Sequence, residues 1–389
     1  MSWPLVKLGD VAELINGDRS SNYPSGDDIV DKGILFLNTK NIIENKINLN
    51  QRSYITQDKF ASLSRGKLQK KDLIITLRGT LGSCCIFDTE FDTGFINAQM
   101  MIIRCNDGVF NKYLHYYLTS FAVNFEFQRA NTGSAVPQLT GRQIAELEIP
   151  LPPLDEQKRI VAILDKADAI RRKRQQAINL ADDFLRSVFL DMFGDPVTNP
   201  KGWEVKQVGK VVDCIVPGRD KPKSFTGGMP WITTNDLMHL GSTSISEKSM
   251  GLSDEEILAV KAKVIPKGSV LMTCVGNLGV ISLAGNDMVM NQQLHAFLAS
   301  DNIEKEFLMY ALSFQKHYMV KMASSTTVPY MNKTVCNSVP VILPPNELQK
   351  KFTKVYKKAV SFKEKLLSAA IENGSLFNAS SQKAFAGEL

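Results

Sequence analysis

Two rhythms of apolar residues alternate along this chain. Short runs that are apolar almost throughout, at residues 73–77 and 100–103, fit strands buried on both faces, with a buried helix open as the alternative for runs so short. Longer stretches place apolar residues every three or four positions, the helical period. Residues 113–129 form one of these, and the spacing of Tyr113, Tyr116, Tyr117, Phe121 and Phe125 predicts a single helix whose aromatic stripe belongs to the core rather than to a stack of bases.

Two further helices are predicted after proline pairs. Residues 155–192 contain no proline or glycine and carry a seam at Ile160, Ile163, Ala167, Ile170, Arg174, Ala177, Ala181, Phe184 and Val188. A second seam runs through Leu348, Phe352, Val355, Ala359, Phe362, Leu366, Ala369, Asn373 and Leu376, in the same register 192 residues later. Steps of three and four average about 3.5 residues per turn and keep one stripe facing a partner, so the two helices are expected to pair as an antiparallel coiled coil. The alternative is an ordinary amphipathic helix lying on each globule.

That register points to an internal repeat, and searching for one changes the reading of the whole chain. Trp3-Pro-Leu-Val-Lys-Leu-Gly9-Asp-Val11 returns 200 residues later as Trp203-Glu-Val-Lys-Gln-Val-Gly209-Lys-Val211. Further matches keep the same order: Thr76-Leu-Arg-Gly79-Thr-Leu-Gly82 with Thr273-Cys-Val-Gly276-Asn-Leu-Gly279, Asn97-Ala-Gln99 with Asn291-Gln-Gln293, Val136-Pro137 with Val328-Pro329, and Leu151-Pro-Pro153 with Leu343-Pro-Pro345. The expected fold is mixed α/β (α+β): a globule at 1–153, a long helix at 154–193, a second globule at 194–345 and a second long helix at 346–389, with pseudo-twofold character. Pairing would make the helices a rigid ruler between the globules, suited to two separated half-sites on a duplex.

Composition narrows the class. No apolar run reaches the length of about 18 residues needed to cross a bilayer, and the first ten residues lack the blocks of a signal peptide, so a cytoplasmic chain is expected. The six cysteines show no CxxC pairing and the four histidines do not cluster with them, which predicts buried free thiols and no structural zinc. A net charge of +6 permits a polyanionic partner without demanding one.

Catalytic signatures are missing: there is no GxxxxGK[ST], GxGxxG after a strand, HExxH or GxSxG. Asp155-Glu-Gln-Lys158 loosely resembles a metal-dependent nuclease core, but its place at a helix start reads as a cap, where acidic residues complement the helix dipole.

Taken together, the two tryptophan openings, Ile149-Pro-Leu-Pro-Pro153-Leu-Asp-Glu-Gln157-Lys-Arg-Ile160 with its weaker copy ending at Gln349, Met192-Phe-Gly-Asp-Pro196 and Ala384-Phe-Ala-Gly-Glu-Leu389 make the chain resemble the specificity subunits of type I restriction-modification systems over essentially its full length. The resemblance implies two target-recognition domains reading an asymmetric bipartite site in double-stranded DNA, and no catalysis in this chain. It further implies two modification subunits that carry S-adenosylmethionine and methylate adenine, and restriction subunits using ATP and Mg. The rival readings are a coiled-coil adaptor without sequence reading, and a nuclease or methyltransferase component with an unrecognised site.

Base reading favours Arg, Lys, Asn and Gln at loop tips, with hydroxyls and backbone amides on phosphates. The recurrent loops supply Lys40, Arg65, Lys67, Arg78, Thr80, Gln99, Arg129 and Ser134 in the first half. The second half supplies Asn235, Lys248, Asn277, Gln292, Lys321, Ser324, Thr326 and Lys333. The Gly79/Gly82 and Gly276/Gly279 pairs either let backbone approach phosphate or simply make turns. The cluster Arg171 to Arg174 either follows phosphates or forms a solvated face or subunit contact.

Overall fold

The computed structural model describes residues 3–129, 138–218, 220–298, 300–324 and 327–388, without the side chains of 370–376. The chain divides into two compact units, residues 1–175 with 368–389 and residues 176–367. Each long helix, Leu154–Phe193 and Asn346–Ala386, contributes residues to both.

The expected buried strands are present, and their period of two explains why both faces are apolar. In Leu73–Thr76, Leu73 and Ile75 enter one core with Met101 and Ile103, while Ile74 enters another with Met100 and Ile102. The second unit repeats this at Val270–Thr273, where Val270 and Met272 face one core and Leu271 the other. The first unit holds an antiparallel sheet in the order Cys84–Ile86, Leu73–Thr76, Met100–Cys105, Ala12–Asn16. A second sheet there contains a parallel pair, Ile34–Leu37 with Thr93–Ile96. Its counterpart in the second unit is Met229–Ile232 with Val289–Met290, also parallel.

The sequence repeats mark the joints of this design. Leu5–Lys7 pairs with Glu148–Pro150 and Glu204–Gln207 with Pro340–Leu343, so the first and last strands of each globule lie together. The indole N–H of Trp3 donates to the carbonyl of Ala384 at 2.9 Å, and that of Trp203 to Phe193 at 2.9 Å. Both tryptophans therefore fasten a globule to the end of a long helix. The tetrad in the first turn of Leu154–Phe193 proves structural too: Gln157 is fully buried, accepts from the Phe110 amide at 2.8 Å and donates to the carbonyls of Gly108 and Pro152. Gln349 repeats the bracket, accepting from the Glu304 amide and donating to the Pro344 carbonyl. Asp155 pairs with Lys158 and Glu156 with Arg159 on the outer face.

Two sequence expectations need correction. Residues 113–129 form two helices, Asn111–Leu118 and Phe121–Arg129, because the Thr119 hydroxyl turns back onto the His115 carbonyl and Ser120 opens the next helix. Tyr113, Tyr116 and Tyr117 each donate a hydroxyl into the fold, to Pro150, Asp165 and Glu148 respectively, whereas Phe121 and Phe125 are exposed.

The seam also shifts by one position at several steps. Ile170 is 47% and Phe184 53% exposed, while Leu164, Ile178 and Leu185 are buried; on the second helix Phe362 is 55% exposed and Tyr356 is buried. Adjacent apolar pairs such as Phe184 and Leu185 lie about 100° apart on a helix and both satisfy a 3.5 period, so periodicity alone leaves the choice to the surface that the helix covers. Antiparallel pairing is present inside each unit. In the first, Ile160 and Leu164 pack with Ala384, and Arg174 donates to the Ala369 carbonyl at 3.0 Å. In the second, Lys363 pairs with Asp182 at 2.6 Å and Phe189 meets Phe352.

Phe189 is the aromatic hub of the second unit, with ring centroids of Phe193, Phe307, Tyr310, Phe314 and Phe352 between 4.9 and 5.7 Å away. Phe189→Ala is expected to cost about 3 to 5 kcal/mol in urea unfolding, and Phe184→Ala less than about 1 kcal/mol.

His295 is buried with neither ring nitrogen partnered, and burial, reinforced by Lys333, pushes its pKa down to about 4. A depressed histidine pKa gives stability that is present above the ordinary value of about 6.5 and lost as pH falls toward about 4. Urea unfolding at pH 7 and 4.5 is expected to show a loss smaller by about 2 to 3 kcal/mol in His295→Leu than in the native protein.

Candidate nucleic-acid interface

Each unit builds one constellation of loops on nearly the same backbone hydrogen bonds. The strand Leu73–Thr76 ends in a turn latched by Thr76, whose buried hydroxyl donates to the Thr80 carbonyl and accepts from the Ser83 amide. Thr273 does the same in the second unit, donating to the Asn277 carbonyl at 2.7 Å and accepting from the Val280 amide at 3.0 Å. A second loop is held beside this turn: the Leu77 amide donates to the Gln99 carbonyl at 2.8 Å and the Cys274 amide to Gln293 at 2.9 Å. In these loops Asn97 and Asn291 each accept from the amide two residues on, at 3.1 Å. The third strand of chain docks through Leu139 onto the Leu77 carbonyl and through Met331 onto the Cys274 carbonyl, both at 2.9 Å.

The turns need their glycines for two different reasons. Gly79 and Gly276 adopt positive φ at tips where an added Cβ would meet nothing within 4 Å. A Cβ at Gly82 would instead stand 2.5 Å from the Phe127 ring, so this glycine serves close packing.

The candidate residues separate on this frame. Arg78, Thr80 and Gln99 come together as exposed residues of the first constellation, and Asn277 and Ser324 join the second, Ser324 through the 2.9 Å bond from its amide to the Tyr330 carbonyl. Lys40 and Asn235 sit exposed in adjoining 3-10 turns, and Lys333 opens the short helix Lys333–Asn337 just after Met331. Gln292 is spent within the protein, its amide nitrogen donating to the Gly218 carbonyl at 3.0 Å, and its sequence equivalent is Ala98; Gln293 corresponds to Gln99. Lys67 donates to Ala61 and lies over the Phe60 ring, and with Arg65, Glu13 and Arg104 it lines a cleft of about 440 Å³. Arg129 covers Phe125, while Lys248 and Lys321 are exposed. Ser134 and Thr326 lie outside the described residues. The basic cluster is largely spent within the helix pair: Arg171 and Arg172 pair with Asp168, and Arg174 contacts the second helix.

One arginine escaped the sequence reading. Arg19 donates through Nε and Nη2 to the Ala98 carbonyl at 3.3 and 3.1 Å, which places it beside Gln99. Its signal was available, because Ile15 and Arg19 recur as Ile215 and Arg219 at the same 200-residue offset as the tryptophans.

The family model described as the type I restriction modification DNA specificity domain matches residues 2–180 and 200–373, once per repeat. The chain belongs to this family. Among relatives, the MjaIX specificity subunit of a type I restriction enzyme from Methanocaldococcus jannaschii is 24% identical over 90% of this chain and 85% of its own length. The HindI specificity subunit from Haemophilus influenzae is 21% identical, with 95% of each chain covered. Two solved chains share the fold. One, from a study of assembly and conformational transition in a type I system, aligns with a TM-score of 0.61 at 21% identity over 100% of this chain and 98% of that one. The other, the S subunit of a type I system from M. genitalium, aligns with a TM-score of 0.57 at 14% identity over 99% and 96%. The protein is accordingly a DNA-target specificity subunit and non-catalytic.

In this specificity subunit the two threonine latches are expected to hold their turns independently. Thr76→Val and Thr273→Val keep the shape but remove both hydroxyl bonds, costing about 1 to 3 kcal/mol each, less at Thr76 because the Ser83 amide keeps its 3.3 Å bond to the Thr80 carbonyl. Amide exchange should quicken at Ser83 in the first variant and at Val280 in the second, with the other turn unchanged.

Proposed function

We propose that each of the two domains reads one part of an asymmetric bipartite target in duplex DNA through its loop constellation, while the paired helices set the spacing between the parts. The observation that carries this reading is that one backbone scaffold recurs in both domains with unequal side chains at its turn: Arg78 and Thr80 in one, Val275 and Asn277 in the other, beside Gln99 and Gln293. Direct readout depends on side-chain donors and acceptors at base edges, so equal scaffolds with unequal side chains suit unequal half-sites. Two modification subunits, supplying S-adenosylmethionine, and restriction subunits, supplying ATP and Mg chemistry, would act on the DNA that this subunit selects, in the cytoplasm. The names of its relatives, specificity subunits of type I restriction enzymes, support these partners.

Both long helices cross the boundary between the units, near residue 175 on the first and 367 on the second. Inserting seven residues at each of these two places should keep the seam's phase to within about 20° and lengthen the pair by about 10 Å. With about 3.4 Å per base pair, the gap between the two parts of the methylated motif is expected to grow by up to about three base pairs, their sequences unchanged. Mapping methylated adenines in cells carrying native and lengthened subunits tests this. A contiguous motif, or sequence-independent methylation by the native assembly, would refute the reading.

A further inference from the structure

We infer that Arg78, held in place by Gln138, reads a guanine in the part of the target that the first domain meets. This rests on the DNA-reading role proposed above and names the base. Arg78 and Gln138 face each other across an isolated antiparallel bridge, and the guanidinium donates through both Nε and Nη2 to the Gln138 Oε1, at 2.9 and 2.7 Å. A guanidinium has five N–H groups in a rigid fork, so two serve to orient it and the remaining three point elsewhere. Arginine reads guanine by placing two such N–H groups on O6 and N7 in the major groove. A side chain already fixed by a neighbour loses less rotamer freedom on binding than a free one.

The second domain shows that this pair is not needed to build the loop. Val275 and Tyr330 occupy the equivalent places, across an equivalent isolated bridge. The docking bond from Met331 to Cys274 has the same 2.9 Å length as that from Leu139 to Leu77. The turn is therefore built with either pair of bridged side chains, Val275 packing half-buried against its core and Arg78 standing exposed with its Gln138 partner, which suits Arg78 to recognition. Among the described residues, Gly79 beside the arginine has positive φ and nothing within 4 Å of where a Cβ would stand. Val275 presents no donor, so the corresponding base in the other part is read without an arginine.

The experiment uses the full chain assembled with its modification subunits. The methylated motif is mapped first, and duplexes are then made in which each guanine of the motif is replaced in turn by 7-deazaguanine, which lacks the N7 acceptor. At one guanine the native assembly should bind about tenfold more weakly, Arg78→Ala should lose that sensitivity and accept other bases there, and Arg78→Lys should restore it only in part. Gln138→Ala should keep the preference for guanine with lower affinity. Tolerance of 7-deazaguanine at every guanine would overturn the inference. So would a uniform loss of affinity for all duplexes in Arg78→Ala, with a shallower salt dependence, since that marks a phosphate contact. An assembly without any sequence preference would overturn the DNA-reading role itself, and is told apart by the unmodified duplexes.

Discussion

A helix of about 40 residues with a narrow apolar stripe gains little from its own hydrogen bonds, and its stability must come from surfaces that cover the stripe. Here two surfaces do so in each unit: the other long helix, and a short aromatic-bearing helix of the globule, Asn111–Leu118 in one case and Lys305–Ser313 in the other. Phe189 shows the consequence, because it touches Phe352 of the partner helix and Phe307 and Tyr310 of the globule at once. The long helices are thus part of each globule's core. The glutamine brackets and the tryptophan bonds follow from this dependence, since a helix that shares a core must enter and leave it at fixed points.

The same economy governs the loops. Backbone polar groups at the turns are satisfied by one another and by two buried threonines, so the side chains at the tips are not needed to close the turns. Arg78 and Val275 stand at the same place on the two turns, Arg78 bound to Gln138 and Val275 packed against the core of its domain. Loops on a rigid scaffold carry function for this reason, and here the scaffold is written twice while the side chains differ.

This division explains what the sequence disclosed. The repeat, the two long helices, the buried strands and the turns were legible because each is fixed by apolar spacing or by residues with a single structural use: a Trp whose N–H needs an acceptor, a Gly at positive φ, a Gln filling a buried bracket. The choice between Phe184 and Leu185 was not legible, since both fit the helical period and only the covered surface decides. Nor was the break at Thr119, which rests on one hydroxyl turning back to a carbonyl. At the loops, composition pointed to segments but not to the partners of their side chains. Gln292 proved to be bound to Gly218, and Arg19 joined Gln99 from about eighty positions away in the chain, which no local pattern could report.

The Asp155 tetrad shows how far spacing misleads when chemistry is read before burial. Two carboxylates near a lysine resemble a metal site only while all are taken to converge. In the fold they diverge: Gln157 points inward to hold the Phe110 amide and two carbonyls, whereas Asp155 and Glu156 pair outward with Lys158 and Arg159. The second copy keeps Gln349 and pairs Glu347 with Lys350 as Asp155 pairs with Lys158, but has Leu348 where Glu156 stands, so the two adjacent carboxylates are not common to both joints. Both joints thus share a buried glutamine that ties the helix to its globule and an ion pair on the outer face, which is the arrangement of a structural attachment.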